Sequence, residues 1–312
     1  MASPVVTSNF NGSVLDYIIT EAVVGNEAFD KGSVYVMEDV QEKISIAKMT
    51  SSANPIIRNE AMPTTKSATV TWSEATLEPA NMMIFIPDIN PRLFENVWRE
   101  FQPKGALPDK ILDPRIQKTF ADVVLKQAQL QIGKLLWQGD TTLADSTRLN
   151  FFNGYVTRAI ASATNIDVTN IGVITAANVM TVFENVIAAI PDALFENPDF
   201  YLHMATSTFR TYLKADRALS TKGSEPQGAA DEMYGNVKIR HYSQFPANTI
   251  LGAVATNGTD SQFYAAVDKQ RDVENFKIER LRPEGELFFL LAKFKMDANT
   301  SNDSETVLYV GS

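Results

Sequence analysis

Two histidines, His203 and His241, are the only imidazoles in the chain. Each sits in a strand-like run. A histidine metal site needs further ligands at tight spacing, and no His-Glu-x-x-His pair is present. Their residue context therefore reads as satisfied core or interface histidines. Cysteine is absent, which removes disulfides, thiolate nucleophiles and Cys-based zinc sites. Adjacent carboxylates occur at Glu38-Asp39 and Asp231-Glu232. Such pairs can do general acid–base work, but both lie in turn or loop context, where solvated acids are the simpler reading. The sequence has no GxxxxGK[ST] or GxGxxG phosphate loop and no GxSxG elbow. The stretch from Gly223 to Gly228 is a turn-rich loop. Trp72, Trp98 and Trp137 are scattered through amphipathic segments, which favours packing in a core or an interface. Stacking on nucleic acid would need basic neighbours, and these are missing. The expectation is a protein with no catalytic, metal or cofactor-binding set, and not an enzyme.

Charge and length bear on what such a chain meets. The formal net charge is −9 over 312 residues, and no run of Lys and Arg exceeds a pair. A protein that grips nucleic acid through its phosphates carries a basic patch, so contact with DNA would be containment. Hydrophobic residues make up 45%, enough for a large core and, as a soft prior, two compact domains. The longest apolar runs, Met82–Ile86 and Leu287–Ala292, fall far short of the roughly 18 residues a membrane helix needs. The start, Met-Ala-Ser-Pro-Val-Val, has neither the basic nor the apolar region of a signal peptide.

The elements that would position these residues follow from periodicity. Residues 1–13 read as a loose arm. Leu15, Ile18, Ile19 and Val23 share a helical face, with Gly25 as a stop. Strand-like runs occur at Ser33–Met37 and Lys43–Met49. Thr50–Lys66, rich in Thr, Ser, Asn and Pro, leads to an alternating run, Ser67–Leu77, with Val70 and Trp72 on one face. The second and third runs make a long β-hairpin. Its tip of seventeen residues is unusual inside a compact domain and marks an interaction element. Asn81–Ile86 reads as a continuous apolar strand ended by Pro87, and Pro91–Phe101 as a short helix. Asp113 as cap and Pro114 at the first turn open a helix over 114–138. Ile116, Phe120, Val124, Ala128, Ile132 and Leu136 recur along it every four residues, with Val123 and Leu135 beside them, and Gly139 closes it. Residues 140–172 read as loop and short strand. Thr175 caps a helix carrying Val179, Val182, Phe183, Val186, Ile187 and Ile190, ended by Pro191. A strand at Phe200–His203, a helix at Ser207–Leu219, a polar loop at Ser220–Gly235 and strands at Val237–Tyr242 and Thr249–Val254 follow. The rest reads as β: Ser261–Val267, Asn275–Leu281, Leu287–Lys295 and Thr306–Val310.

Several local patterns carry a resemblance. They are Leu136-Trp137-Gln138-Gly139-Asp140 after the long helix and the Phe152-Asn153-Gly154-Tyr155 turn. Next comes the stretch Phe195-Glu196-Asn197-Pro198-Asp199-Phe200-Tyr201-Leu202-His203-Met204, before a helix starting at Thr206 or Ser207. Gly235-Asn236-Val237-Lys238-Ile239, Phe245-Pro246 and Ile250-Leu251-Gly252 complete the set. In this order the chain resembles the major capsid proteins of tailed phages of the Hong Kong 97 type, over nearly its whole length.

The resemblance implies an α+β fold, the tailed-phage capsid fold. It divides the chain into an N-terminal arm (1–32), an extended hairpin loop (33–80) and a peripheral domain (81–140) with its spine helix at 114–138. A central axial α/β domain (141–260) follows, then strands returning to both domains (261–312). It implies a structural protein that self-assembles into the icosahedral shell enclosing the double-stranded DNA of a tailed phage. Its partners would be copies of itself in hexamers and pentamers. The DNA would be enclosed without sequence-specific binding, and no membrane is involved. The protein would sit in the virion after assembly in the host cytoplasm. Family members with a built-in scaffold carry a charged helical segment of about a hundred residues before the hairpin. Here the hairpin starts near residue 33, which leaves a separate scaffolding protein, or none, open; portal and decoration proteins are further candidate partners. Lys48 and Lys66 border the tip, yet no matching Asn or assisting Glu identifies a cross-link. Subunit contacts are expected at Ile56, Ile57, Arg58, Glu60, Met62 and Lys66 of the tip, whose apolar members gain from burial on a neighbour. Asp231 and Glu232, in a loop near the axis of each ring of subunits, are also candidates. An encapsulin-like nanocompartment shell protein is the alternative, and an α+β enzyme with an unrecognised site a more distant one.

Overall fold

The structure is a computed structural model describing residues 26–51, 70–89, 114–218, 232–268, 276–280 and 287–311. The expected arm, the helix over 15–24, the hairpin tip and the short helix at 91–101 lie outside these residues. The first described element is a single helical turn, α1 (Glu27–Asp30), capped by Asn26, whose side chain accepts the Ala28 N–H at 3.0 Å. Strands β1 (Tyr35–Glu38), β2 (Ile44–Ser51), β3 (Val70–Leu77) and β4 (Ala80–Ile89) follow, then helix α2 (Pro114–Gln138). Beyond it come α3 (Tyr155–Ala161), β5 (Ile166–Asp167), α4 (Val179–Ala189), α5 (Asp192–Phe195), β6 (Phe200–Ala205) and α6 (Thr206–Ala218). The remaining strands are β7 (Met233–Tyr234), β8 (Val237–Tyr242), β9 (Thr249–Val254), β10 (Phe263–Asp268), β11 (Phe276–Arg280), β12 (Phe288–Thr300) and β13 (Val307–Val310).

These strands form three sheets. In the five-stranded sheet β12 is the central rail. Along one edge it pairs with β11 and then β10, and along the other with β4. Strand β1 adds parallel to β10, so the hairpin proper begins at β2. The six-stranded sheet runs β5-β13-β9-β6-β8-β7, and β2–β3 form a separate two-stranded sheet. Helices α4 and α6 cover one face of the six-stranded sheet through Val182, Phe183, Val186, Phe209 and Tyr212. Its other face meets the second core, where α2 packs on the five-stranded sheet through Leu125, Ala128, Ile132 and Leu135 against Leu290, Ala292 and Phe294.

The expected helix over 114–138 is present with those bounds, because an apolar stripe of period 3.6 has a sheet to lie on. Val123, expected beside that stripe, is 58% exposed. Successive residues turn by about 100°, which carries Val123 to the far side from Ala128. In 140–172, expected as loop and short strand, the chain forms α3. Its sequence, Tyr-Val-Thr-Arg-Ala-Ile-Ala, has weak intrinsic helix propensity. Packing decides instead: Tyr155, Val156 and Ala159 are buried, and the Tyr155 hydroxyl donates to the Tyr264 carbonyl at 3.0 Å.

Helix α4 starts at Val179 and is not capped by Thr175. The Thr175 N–H and hydroxyl donate to Asn178 Oδ1 at 2.7 and 3.1 Å, and the Thr175 carbonyl accepts the Val179 N–H. Pro87 does not end β4. The register shift between Phe288 and Leu290 falls opposite 86–89, so Pro87 occupies a bulge where no ladder hydrogen bond is asked of it. The loop between Ser220 and Gly235 contains a short strand, β7, paired with β8.

Two of the motifs that carry the family resemblance meet in space. The Gly154 N–H donates to the Gly139 carbonyl at 2.8 Å. A Cβ on Gly139 would lie 2.4 Å from the Phe152 carbonyl oxygen, and one on Gly154 2.7 Å from that of Leu135. Glycine at both positions lets α3 dock against the end of α2. That contact places Trp137 beside Tyr155 at 5.4 Å between ring centroids.

Candidate subunit interface

Residues Ile56, Ile57, Arg58, Glu60, Met62, Lys66 and Asp231 lie outside the described residues. Glu232 is described. It is exposed just before β7, and its carboxylate acts on Lys31 and His241. Its neighbours are thus the segment 26–33 and the end of β8.

What the structure does show is the stem on which the tip is carried. Strands β2 and β3 pair from Ile44↔Leu77 to Ser51↔Val70. At roughly 3.3 Å per residue the stem is about 26 Å long. Its root is anchored: Leu77 is fully buried with Val40 and Ala266, the Asn299 amide donates to the Thr76 carbonyl at 2.7 Å, and Asp297 accepts the Glu78 N–H at 2.6 Å. Toward the tip the stem emerges. Val70 is exposed and Trp72 is 69% exposed. The two residues share a face, as their spacing predicts, and among the described residues that face stays largely uncovered. A two-stranded ribbon with its apolar face in water is marginal by itself. Beside the root, Ile46, Ala47 and Lys48 face Asn197, Asp199, Asp260 and Glu305 across a cleft of about 620 Å3.

A second open apolar surface lies on the five-stranded sheet. Met82 is buried under α2, whereas Met83 (58% exposed) and Phe85 (48% exposed) point away. Phe85 meets Phe289 of β12 at 6.0 Å between centroids. The sequence carried a signal for this surface. A continuous apolar run such as Asn81–Ile86 is the mark of a strand covered on both faces, and the described residues cover one. Val123 and Leu130 of α2 are exposed in the same way on the helix's outer side.

Segment 26–33 works as a strap between α2 and the turn after β8. The Asn26 amide donates to the Gln129 carbonyl at 2.9 Å. Glu27 accepts from the Ser243 N–H and hydroxyl, each at 2.8 Å. Lys31 donates to the His241 carbonyl, and Arg240 donates to the Ser33 hydroxyl at 2.6 Å. Burial lowers the Lys31 ammonium below the usual lysine range, against the opposing pull of Glu27 and Glu232.

His241 is half-buried, hydrogen bonded to Thr206 at 3.2 Å and stacked on Phe209; burial lowers it below the ordinary histidine range. His203 is fully buried. Its Nδ1 meets the Tyr242 hydroxyl at 3.1 Å, while its Nε2 has no partner, so the expected satisfied core histidine is satisfied on one side only. At the root of the hairpin, burial raises the Asp297 carboxyl, offset in part by the Glu78 N–H and the Arg158 guanidinium 3.5 Å away. Among the described residues no three His, Asp or Glu side chains are placed to hold a metal ion. No helix among them is long and apolar enough to cross a membrane.

No family model and no curated protein matches the chain. Solved structures do. The chain aligns over 100% of its length with 93% of a chain from the satellite phage P4 procapsid that includes the size determination protein, at TM-score 0.62 and 12% identity. It aligns over 92% with 92% of a chain from the capsid of Myoviridae phage XM1, at TM-score 0.57 and 9% identity. Over 100% it aligns with 96% of a capsid chain of the empty GTA particle, at TM-score 0.55 and 13% identity. The fold of this chain is the α+β fold of those capsid subunits.

Proposed function

We propose that this chain is a shell-forming subunit, the major capsid protein of a tailed phage, which self-assembles into the icosahedral capsid around double-stranded DNA. The observation that carries this reading is burial left incomplete. The hairpin stem is anchored at its root and bare at Trp72, and β4 offers Met83 and Phe85 to a partner. A surface of this kind on a soluble chain marks an interaction site. Shared fold with capsid subunits at low identity supports the reading without carrying it.

In this assignment α2 is the spine of a peripheral domain within 81–140, and the six-stranded sheet with α4 and α6 is the axial domain. The hairpin and the arm reach neighbouring subunits in hexamers and pentamers. Head-to-tail contacts close into rings and do not need a self-complementary patch. The role is structural, and the site of action is the virion, assembled in the host cytoplasm. A net charge of −9 suits a wall that contains DNA without binding its sequence. Separate scaffolding, portal and decoration proteins fit the same scheme. Electron microscopy of the purified chain is the test. Closed shells or rings of five or six subunits are expected; a monodisperse monomer at all concentrations and salt conditions overturns the proposal.

A further inference from the structure

We propose that His203 makes the joint between the two large sheets a proton-operated latch, closed by the neutral imidazole and forced open by the imidazolium. The residue stands on β6 of the six-stranded sheet and faces the other core. Around it are Trp137 from the end of α2 (5.7 Å between centroids), Phe263 from β10 (5.2 Å) and Tyr242 from β8 (5.7 Å, stacked). The strap adds Ser33, 2.6 Å from the Tyr242 hydroxyl.

The two ring nitrogens are unequally partnered. Arg240, which can only donate, donates to the Ser33 hydroxyl at 2.6 Å. The Ser33 and Tyr242 hydroxyls lie 2.6 Å apart, and the Tyr242 hydroxyl is 3.1 Å from His203 Nδ1. The other nitrogen of the ring is Nε2. That is the one buried side-chain nitrogen or oxygen among the described residues without a hydrogen-bond partner. The imidazolium is a donor at both nitrogens: the Tyr242 hydroxyl can accept from Nδ1, but Nε2 would hold a buried, charged N–H with no acceptor.

The charged surroundings lead to the same conclusion. Arg240 lies over the Tyr201 ring at 3.5 Å and Lys31 over the Tyr242 ring at 5.0 Å. The nearby carboxylates are engaged elsewhere: Glu27 on Ser243, and Asp297 on Glu78, Ala298 and Arg158. Tyr155, between Trp137 and Asp297, is buried and donates its proton to Tyr264. Burial, followed by Arg240 and Lys31, holds the His203 imidazole well below the ordinary histidine range. The sign follows: the unfolded or opened chain takes up the proton first, so closure weakens as pH falls below about 6.5, close to tenfold in the opening constant per pH unit.

The chain has two histidines, so selective 13C labelling gives two imidazole signals in the free full-length subunit, and His241→Gln assigns them. From pH 7.5 to 5 the His203 signal should stay neutral until the joint opens cooperatively. Amide exchange, corrected for its intrinsic pH dependence, should then rise in 26–33, β6 and β8 before it rises in β4 and β12. The double variant His203→Phe/Tyr242→Phe removes the titrating group together with its hydrogen-bond partner. Its opening constant should lose about one tenfold step per pH unit relative to the native chain. A His203 signal that titrates near 6.5 in the closed subunit overturns the latch, as does exchange rising evenly through both sheets. If the double variant does not fold, these two measurements on the native chain decide alone. All of them are made on free subunits and are independent of what the subunits build.

Discussion

At Gly139 and Gly154 two backbone segments pass so closely that a single methyl group has nowhere to go. The atoms it would meet are carbonyl oxygens at 2.4 and 2.7 Å, and backbone cannot step aside as a flexible side chain can. Gly139→Ala and Gly154→Ala should each cost about 2–4 kcal/mol in chemical denaturation, at the upper end for overpacking. Trp72 presents the opposite case. The residue is 69% exposed, so Trp72→Ala should move subunit stability by no more than about 0.5 kcal/mol, while sharply lowering the yield of particles in sedimentation. Equal losses in both readouts would assign the ring to the fold and not to a partner. The two glycines were legible as punctuation in the sequence. That they touch each other was not, because their contact spans fifteen positions and depends on the docking of α3.

Helix α2 was the most legible element, since Pro114 and an apolar stripe from Ile116 to Leu136 leave few alternatives. Strand β12 was read too short. Its last residues, Asp297, Ala298, Asn299 and Thr300, look like a polar exit, yet all are buried. There Asp297 and Asn299 are spent on the hairpin root. A sequence read in one dimension has no way to credit a polar side chain for a partner two hundred residues away. The contact candidates of the tip are a different matter: they lie outside the described residues, and their roles stand as proposals.

Between α2 and the strap, Gly133 allows a close approach. A Cβ there would lie 2.6 Å from the Asn26 amide nitrogen and 3.1 Å from Gln244 Cγ. Gly133→Ala should gain up to about 1 kcal/mol of helix propensity and lose about as much through the displaced Asn26 hydrogen bond. Melting should therefore shift little, while amide exchange in 26–33 speeds up. A clear rise in stability with an unchanged strap would refute this account of the glycine. On α6, Arg210, Lys214 and Arg217 are all exposed. Their spacing lines them along one face of the helix, although the sequence shows no basic run.

For the molecule as a whole, the apolar face of β4 is where assembly and folding separate. Met83→Lys together with Phe85→Lys should leave the monomer folded by circular dichroism, because both side chains already meet water. The same pair should abolish shells and rings in electron microscopy. Native subunits should also melt at a temperature that rises with protein concentration, since association stabilises only the folded form. The doubly substituted chain should lose that dependence. Misfolded variant monomers would instead place these residues in the subunit's own core.

Strand β13 lies between β9 and β5, so an interior place in the six-stranded sheet is filled by residues 307–310. During translation the sheet stands with an open slot until those residues leave the ribosome. A nascent chain can thus complete its helices and most of its strands and still be unable to close. Synthesis and closure are in this way tied together in time, and chains stopped early would carry an unzipped edge that a cell's proteases can find.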